Sequence, residues 1–168
     1  MAAHHTPHHR TSEQGIGAVE MMVVVAIVGI AFAGLFQLFV LSTRPIHASA
    51  RETEAVYLAE EAIEAVRILR NNGWAANIAT LTNGATYYPT LSGGTWTLSS
   101  TNPGLINNLY TRTVVVRAVN RDSSDNITPS GGTLDPNTKK ITATVTWSER
   151  ASTKNIVVET YLTNFLNN

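Results

Sequence analysis

Residues 15–41 read GIGAVEMMVVVAIVGIAFAGLFQLFVL: a single carboxylate, Glu20, stands at the head of an apolar run that carries no further charge. Within the 21 residues from position 21 to 41, only Gln37 is strongly polar. As an α-helix this run extends about 31 Å, close to the hydrocarbon thickness of a bilayer. It exceeds the roughly 7–15 apolar residues of an ordinary secretory signal. The reading is therefore a membrane-spanning helix.

Upstream, residues 1–15 are polar, with His4, His5, His8, His9 and Arg10, and the change of character falls beside Gly15. A carboxylate at the edge of the bilayer core is costly and commonly marks a function with a cationic partner. The plain alternative for Glu20 is a side chain that snorkels to the headgroups. Within the span, Gly29 and Ala33 form a small-xxx-small pair, flanked by Ala26 and Gly34, that permits close approach of another helix. Small residues are frequent in membrane helices in any case. Arg44 and Arg51 after the span outnumber Arg10 before it, so loop charge does not fix the orientation.

The segment Gly15-Ile16-Gly17-Ala18-Val19-Glu20, with the apolar run directly behind it, resembles the class III signal of type IV pilins and pseudopilins. The resemblance implies cleavage after Gly15 by a dedicated prepilin peptidase, with Ile16 as the first mature residue and its N-methylation site. It makes Glu20 the glutamate at mature position five, which acts in assembly and register. The family favours phenylalanine at the first mature position, where this chain has Ile16. Cleavage would create an α-amine four residues from Glu20, protonated near neutrality because its reference pKa is about 7.7–8.0. Methylation keeps that charge. In a stacked bundle of low dielectric, the amine of one subunit can meet Glu20 of another, and pairing relieves the cost of two isolated charges.

Beyond the span, Pro45 lacks an amide hydrogen and disfavours helical geometry at Arg44, which predicts a break around residues 42–47. Helical spacing resumes over 50–71, with Ala55, Leu58, Ala59, Ala62, Val66 and Leu69 on one side and Arg51, Glu54, Glu61 and Glu64 largely elsewhere. Asn71-Asn72-Gly73 ends that helix, and Trp74 follows as an apolar anchor. The stretch from Tyr57 to Arg67 also resembles the helix of minor pilins of the pilus-modification type and of I-type pseudopilins.

After Gly84 the period changes. Short runs at 85–91 and 95–99 precede β-branched strands at 110–120, 141–148 and 156–163. The second alternates: Ile141, Ala143, Val145 and Trp147 on one face, Thr142, Thr144 and Thr146 on the other, as expected of an antiparallel sheet covered on one side. Residues 149–154 read as a hairpin and residues 121–138, with Pro129, Gly131, Gly132 and Pro136, as a long loop. The expected architecture is α+β: a long N-terminal α-helix, half membrane-spanning and half amphipathic, packed on a small antiparallel β-sheet head. Its segments are a leader (1–15), an assembly helix (16–44), an amphipathic helix (45–74) and the head (75–168).

Composition and side chains narrow the chemistry. The 168 residues carry zero net charge and are 43% hydrophobic and 14% charged, which fits one head domain. Lysine occurs only at Lys139, Lys140 and Lys154, so nucleic acid is not expected as the main partner. There is no cysteine, and predicted cleavage leaves His47 as the sole mature histidine. No catalytic residue, cofactor or metal is nominated, and the chain is not expected to be an enzyme. Glu60, Glu61 and Glu64 read as a solvated helix face, with Arg67 three residues beyond Glu64. Asp122, Asp125 and Asp135 could offer oxygens to calcium, but they lack EF-hand spacing and suit an ordinary turn. Tyr87, Tyr88 and Trp96 read as contacts to a ligand or a neighbouring subunit, and at least as well as core packing.

The resemblance implies a structural subunit, a minor pilin or pseudopilin, whose partners are other pilin subunits, prepilin peptidase, the assembly platform and membrane lipid before assembly. Its place would be the cytoplasmic membrane, single-pass with the head outside, and then an extracellular or periplasmic filament. The competing reading is a secreted or membrane-anchored β-rich binding or adhesin domain that forms no filament, cut at the small-residue site Ala48-Ser49-Ala50.

Overall fold

The computed structural model describes residues 17–167, with the side chains at 41 and 43–47 excepted. The chain forms two compact units that divide between His47 and Ala48. Its element order is α1 (Ala18–Asn71), α2 (Trp74–Asn77), β1 (Thr86–Ser92), β2 (Thr95–Ser99), β3 (Thr111–Arg121), β4 (Ile127–Thr128), β5 (Thr133–Glu149) and β6 (Ser152–Thr163). The class is α+β: a long, N-terminally apolar helix and a six-stranded antiparallel sheet.

In the first unit, the helical residues Ala18–Val40 are long and apolar enough to cross a membrane, a property shared by membrane anchors and signal sequences. None of that stretch is buried by protein, and large side chains all round it, among them Val19, Met22, Phe32 and Phe39, are exposed.

The expected break around residues 42–47 does not occur, because α1 is helical without interruption from Ala18 to Asn71. Pro45 removes one amide, and therefore one rung of the ladder, while the rungs on either side remain.

The second unit is built on the amphipathic stripe of the helix. Ala55, Ala59, Ala62, Ile63, Val66 and Leu69 are buried, and the small alanines let the helix backbone lie close to the sheet. Strand order is β2-β1-β3-β5-β6, with β4 attached to β3. Alternation places Val114 and Val116 of β3 opposite Ala143 and Ile141 of β5 on the covered face. These residues join Ile63, Val66, Leu69, Trp74 and Leu162 in one core cluster, while Ala55, Ala59, Tyr110, Val145 and Trp147 form a second. Each large apolar side chain so buried contributes about 1.5–3 kcal/mol of transfer free energy. The threonines at 142, 144 and 146 lie on the other face and are half-buried.

Termination of α1 is local chemistry. Gly73 adopts φ 141°, a region that side chains resist, and Asn77 Nδ2 donates at 3.1 Å to the Leu69 carbonyl near the helix end. Trp74 then turns into the core and is 3% exposed.

The connection expected as a loop over 121–138 is half sheet, with strand at 121, 127–128 and 133–138. Beyond an irregularity at Ala118/Val119, β3 pairs again with β5, with Val119 opposite Asp135 and Arg121 opposite Thr133, and β4 pairs with Asn120 and Arg121. Pro136 falls in the unmatched residues of that bulge, where its missing amide breaks no β3 pairing. The turn also requires glycine at 132: a Cβ there would sit 2.3 Å from the Arg121 carbonyl oxygen.

The last hairpin pairs Glu149 with Ser152 around Arg150 and Ala151, whose φ values are 48° and 64°. Such a turn suits Asn-Gly, and an alanine in left-handed backbone costs about 1–2 kcal/mol. Ala151→Gly is therefore expected to stabilise the head by about 1 kcal/mol. Chemical denaturation of the full chain in detergent, followed by tryptophan fluorescence, measures it; unchanged or reduced stability would contradict the strain.

Candidate functional site

The candidate site begins where α1 begins. The Gly17 carbonyl accepts the first helical hydrogen bonds, from the amides of Glu20 at 2.9 Å and Met21 at 3.2 Å. Glu20 thus sits in the first turn, exposed, at the end of the helix where the macrodipole favours an anion. Among the described residues no side chain pairs with its carboxylate. Gly15 and Ile16, the expected cleavage and methylation positions, lie outside the described residues. Gly29 and Gly34 have open space where a Cβ would project, and Gly29 shares a helix face with Ala33 four residues on.

The second unit holds three polar clusters, each built by strand parity or by a turn. In the first, Arg112 occupies an inward position of β3, in phase with Val114 and Val116, so its guanidinium enters the core. It forms an ion pair with Glu61 of α1, donates at 3.2 Å to the Pro89 carbonyl and lies 5.4 Å from the centre of the Trp96 ring. The arginine side chain is 7% exposed and that of Glu61 47%, so the helix supplies a half-wet counter-ion to a dry cation. The glutamate face expected on α1 is exposed at Glu60, Glu61 and Glu64; Glu64 pairs with Arg67, and Glu61, though half-exposed, also pairs with the buried Arg112.

In the second cluster, Tyr110 is fully buried and its hydroxyl lies 2.9 Å from Glu54 Oε2 and 3.1 Å from the Arg51 carbonyl. Its ring meets Trp147 edge-on at 6.0 Å. Asn107 donates to the other oxygen of Glu54 at 2.7 Å. Burial first, and then the hydrogen bond to Glu54, push the phenol up to about 12.

In the third, Arg121 Nε donates to Asp135 at 2.7 Å, across the resumed β3–β5 pairing. Burial works to raise the Asp135 carboxyl, but hydrogen bonds from Thr138, Arg121 and the Asn137 amide outweigh it and hold the carboxyl below its ordinary value. Asp122 accepts from the amides of Asn126 and Ser124 at 2.9 Å each, which closes the turn. The candidate calcium carboxylates are thus divided between a turn and an ion pair. Among the described residues no group of three His, Cys, Asp or Glu could hold a metal ion.

The aromatic candidates are largely committed within the head. The Tyr87 hydroxyl accepts from the Thr82 amide at 2.9 Å, and Trp96 covers Arg112. Arg112 and Glu61 escaped sequence reasoning as a pair because 51 residues separate them. The signal was the parity of Arg112, since a charge in phase with core valines demands a counter-ion.

Comparison of the chain with known protein families, with characterised proteins and with solved structures found no match.

Glu61→Ala is expected to cost about 3 kcal/mol, because it leaves a buried guanidinium without its counter-ion; adding Arg112→Met recovers more than half. A double-mutant denaturation cycle in detergent checks this, and a double variant no better than the single one would contradict it. For Tyr110 the sign follows from a folded pKa above the unfolded value of about 10: its contribution is complete below pH 10 and is lost as pH rises towards 12. Tyr110→Phe is expected to cost about 1–2 kcal/mol at neutral pH and to flatten that alkaline decline, read by denaturation at stepped pH.

Proposed function

We propose that the chain is a structural subunit of a filament, a type IV pilin-like minor pilin or pseudopilin. One observation carries the reading: a helix of membrane-spanning length, with none of its apolar stretch buried, opens with an exposed glutamate five residues after Gly15. Packed helices of sister subunits would cover that surface, and the second unit closes its own core without it.

In this reading prepilin peptidase cuts after Gly15, and the N-methylated amine of Ile16 pairs with Glu20 of a neighbouring subunit. In lipid, before assembly, both charges rest at the interface. Within the bundle their pairing sets the axial register, because sliding the helices separates two desolvated charges. The small residues at Gly29 and Ala33 let neighbours approach. The subunit would wait in the cytoplasmic membrane with its head outside and then enter an extracellular or periplasmic filament through an assembly platform.

The binding or adhesin reading is weaker on one observation. Its cleavage site, Ala48-Ser49-Ala50, lies inside continuous α1, whereas proteolysis favours exposed, irregular backbone.

Mass spectrometry of the processed native protein is expected to find Ile16 as the first residue; a start at Arg51 would overturn the proposal. Substitution of Gly15 should block maturation. Glu20→Ala should mature normally and enter filaments at least about tenfold less, the equivalent of about 1.4 kcal/mol, and undiminished incorporation would rule out the pairing.

A further inference from the structure

The sheet ends at β6, a 12-residue edge strand paired on one side only, with β5. The two-residue turn at Arg150-Ala151 fixes which groups that pairing consumes. Glu149 and Ser152 close the hairpin as a hydrogen-bonded pair, so the even-numbered residues of β6 bond to β5. The bond from the Asn164 amide to the Asn137 carbonyl, at 2.8 Å, continues the same parity. Asn155, Val157, Glu159 and Tyr161 therefore turn their backbone N–H and C=O outward. Among the described residues nothing pairs with these groups.

This edge does not face open solvent along its whole length. Between it and α1 runs a groove of about 710 Å³. Its apolar floor is Val158 and the buried Ile63, and Tyr57, 68% exposed, lies along the helix wall. A strand laid beside β6 would turn alternate side chains onto this floor and the others towards Val157, Glu159 and Tyr161.

The walls are acidic. Glu60, Glu61 and Glu64 line the helix side, against one cation, Arg67; Glu159 borders the strand side but turns its carboxylate to the other face of the sheet, to Thr142 and Lys140. Some of this charge is already met: Glu61 by Arg112, Glu64 by Arg67, and Glu159 by Lys140 at 2.9 Å. Glu60 has no ion-pair partner among the described residues, and each paired carboxylate keeps lone pairs for a further donor.

We propose that the groove between α1 and β6 receives an extended, cationic segment of another protein, which joins the sheet as a strand beside β6. Main-chain hydrogen bonds to the outward amides supply affinity, and the carboxylates select lysine or arginine at alternate positions. The other free edge of this sheet, β2, has five residues, TWTLS, none of them charged, so that edge of a second copy offers the groove no complementary strand. All the groups involved belong to the second unit, and the inference stands or falls apart from filament assembly.

The test uses the full chain in detergent micelles and a fluorescein-labelled peptide alternating lysine and valine over six residues. Fluorescence anisotropy reads affinity, and amide hydrogen exchange reads the site. The expected result is saturable binding with exchange protection at Val157, Glu159 and Tyr161. Binding should weaken at least tenfold when alternate peptide amides are N-methylated, and severalfold in Glu60→Lys. Equal binding of the N-methylated peptide, or of a glutamate–valine peptide, would overturn the proposal, as would the lack of protection on β6. Protection of the same amides that rises with chain concentration and no peptide would replace the partner with a second copy.

Discussion

A helix that is apolar around its whole circumference cannot remain in water, and Ala18–Val40 is such a helix. Lipid can cover it, and so can other helices of the same kind. In a bilayer the backbone satisfies itself and the side chains need no protein neighbour. In a bundle, small residues and a charge at the helix start decide which neighbour fits and at what height. Glu20 gains its interest from this alternative: a carboxylate costs least at an interface or beside a cation, and Glu20 stands in the first turn of the helix.

The second unit solves a different problem with the other half of the same helix. A stripe of Ala55, Ala59 and Ala62 brings the helix backbone close to β3 and β5, and larger residues, Ile63, Val66 and Leu69, fill the space beside it. Two polar fasteners join the layers where apolar packing gives no direction: Arg112 to Glu61 and Tyr110 to Glu54. Apolar packing tolerates sliding by a fraction of a turn, whereas a guanidinium and a phenol held by directional bonds to groups of the helix do not. The fasteners therefore set the rotation of the helix on the sheet.

Much of this was legible in the sequence because two periods are hard to mistake. The uncharged run gave the apolar helix, and the alternation from Ile141 to Trp147 gave a strand and its buried face. Three features were not legible. Pro45 reads as a breaker, yet a single lost rung does not end a helix of 54 residues. Pro136 and the glycines at 131 and 132 read as loop, because a bulge that absorbs a proline has the same composition as a turn. The pairing of the exposed Glu61 with Arg112 was hidden because that partner is set by the register of a strand far along the chain, which local periodicity does not encode. The position of Glu20 in the first turn was legible from the step in polarity; its proposed counter-ion belongs to a sister chain, which no single sequence displays.

The strand order has a consequence for how the head comes together. The β1–β2 and β5–β6 pairings join neighbours along the chain, and β3–β5 passes only the two-residue β4, so the sheet can grow from short closures. The helix-to-sheet links differ, since Glu54 and Glu61 meet residues 56 and 51 positions later. Closing loops of that size costs more entropy, and folding rate falls as such distant contacts come to dominate. Assembly of the head is thus expected to proceed from a meander that forms early to a helix that docks late, with the slow step carried by the two fasteners.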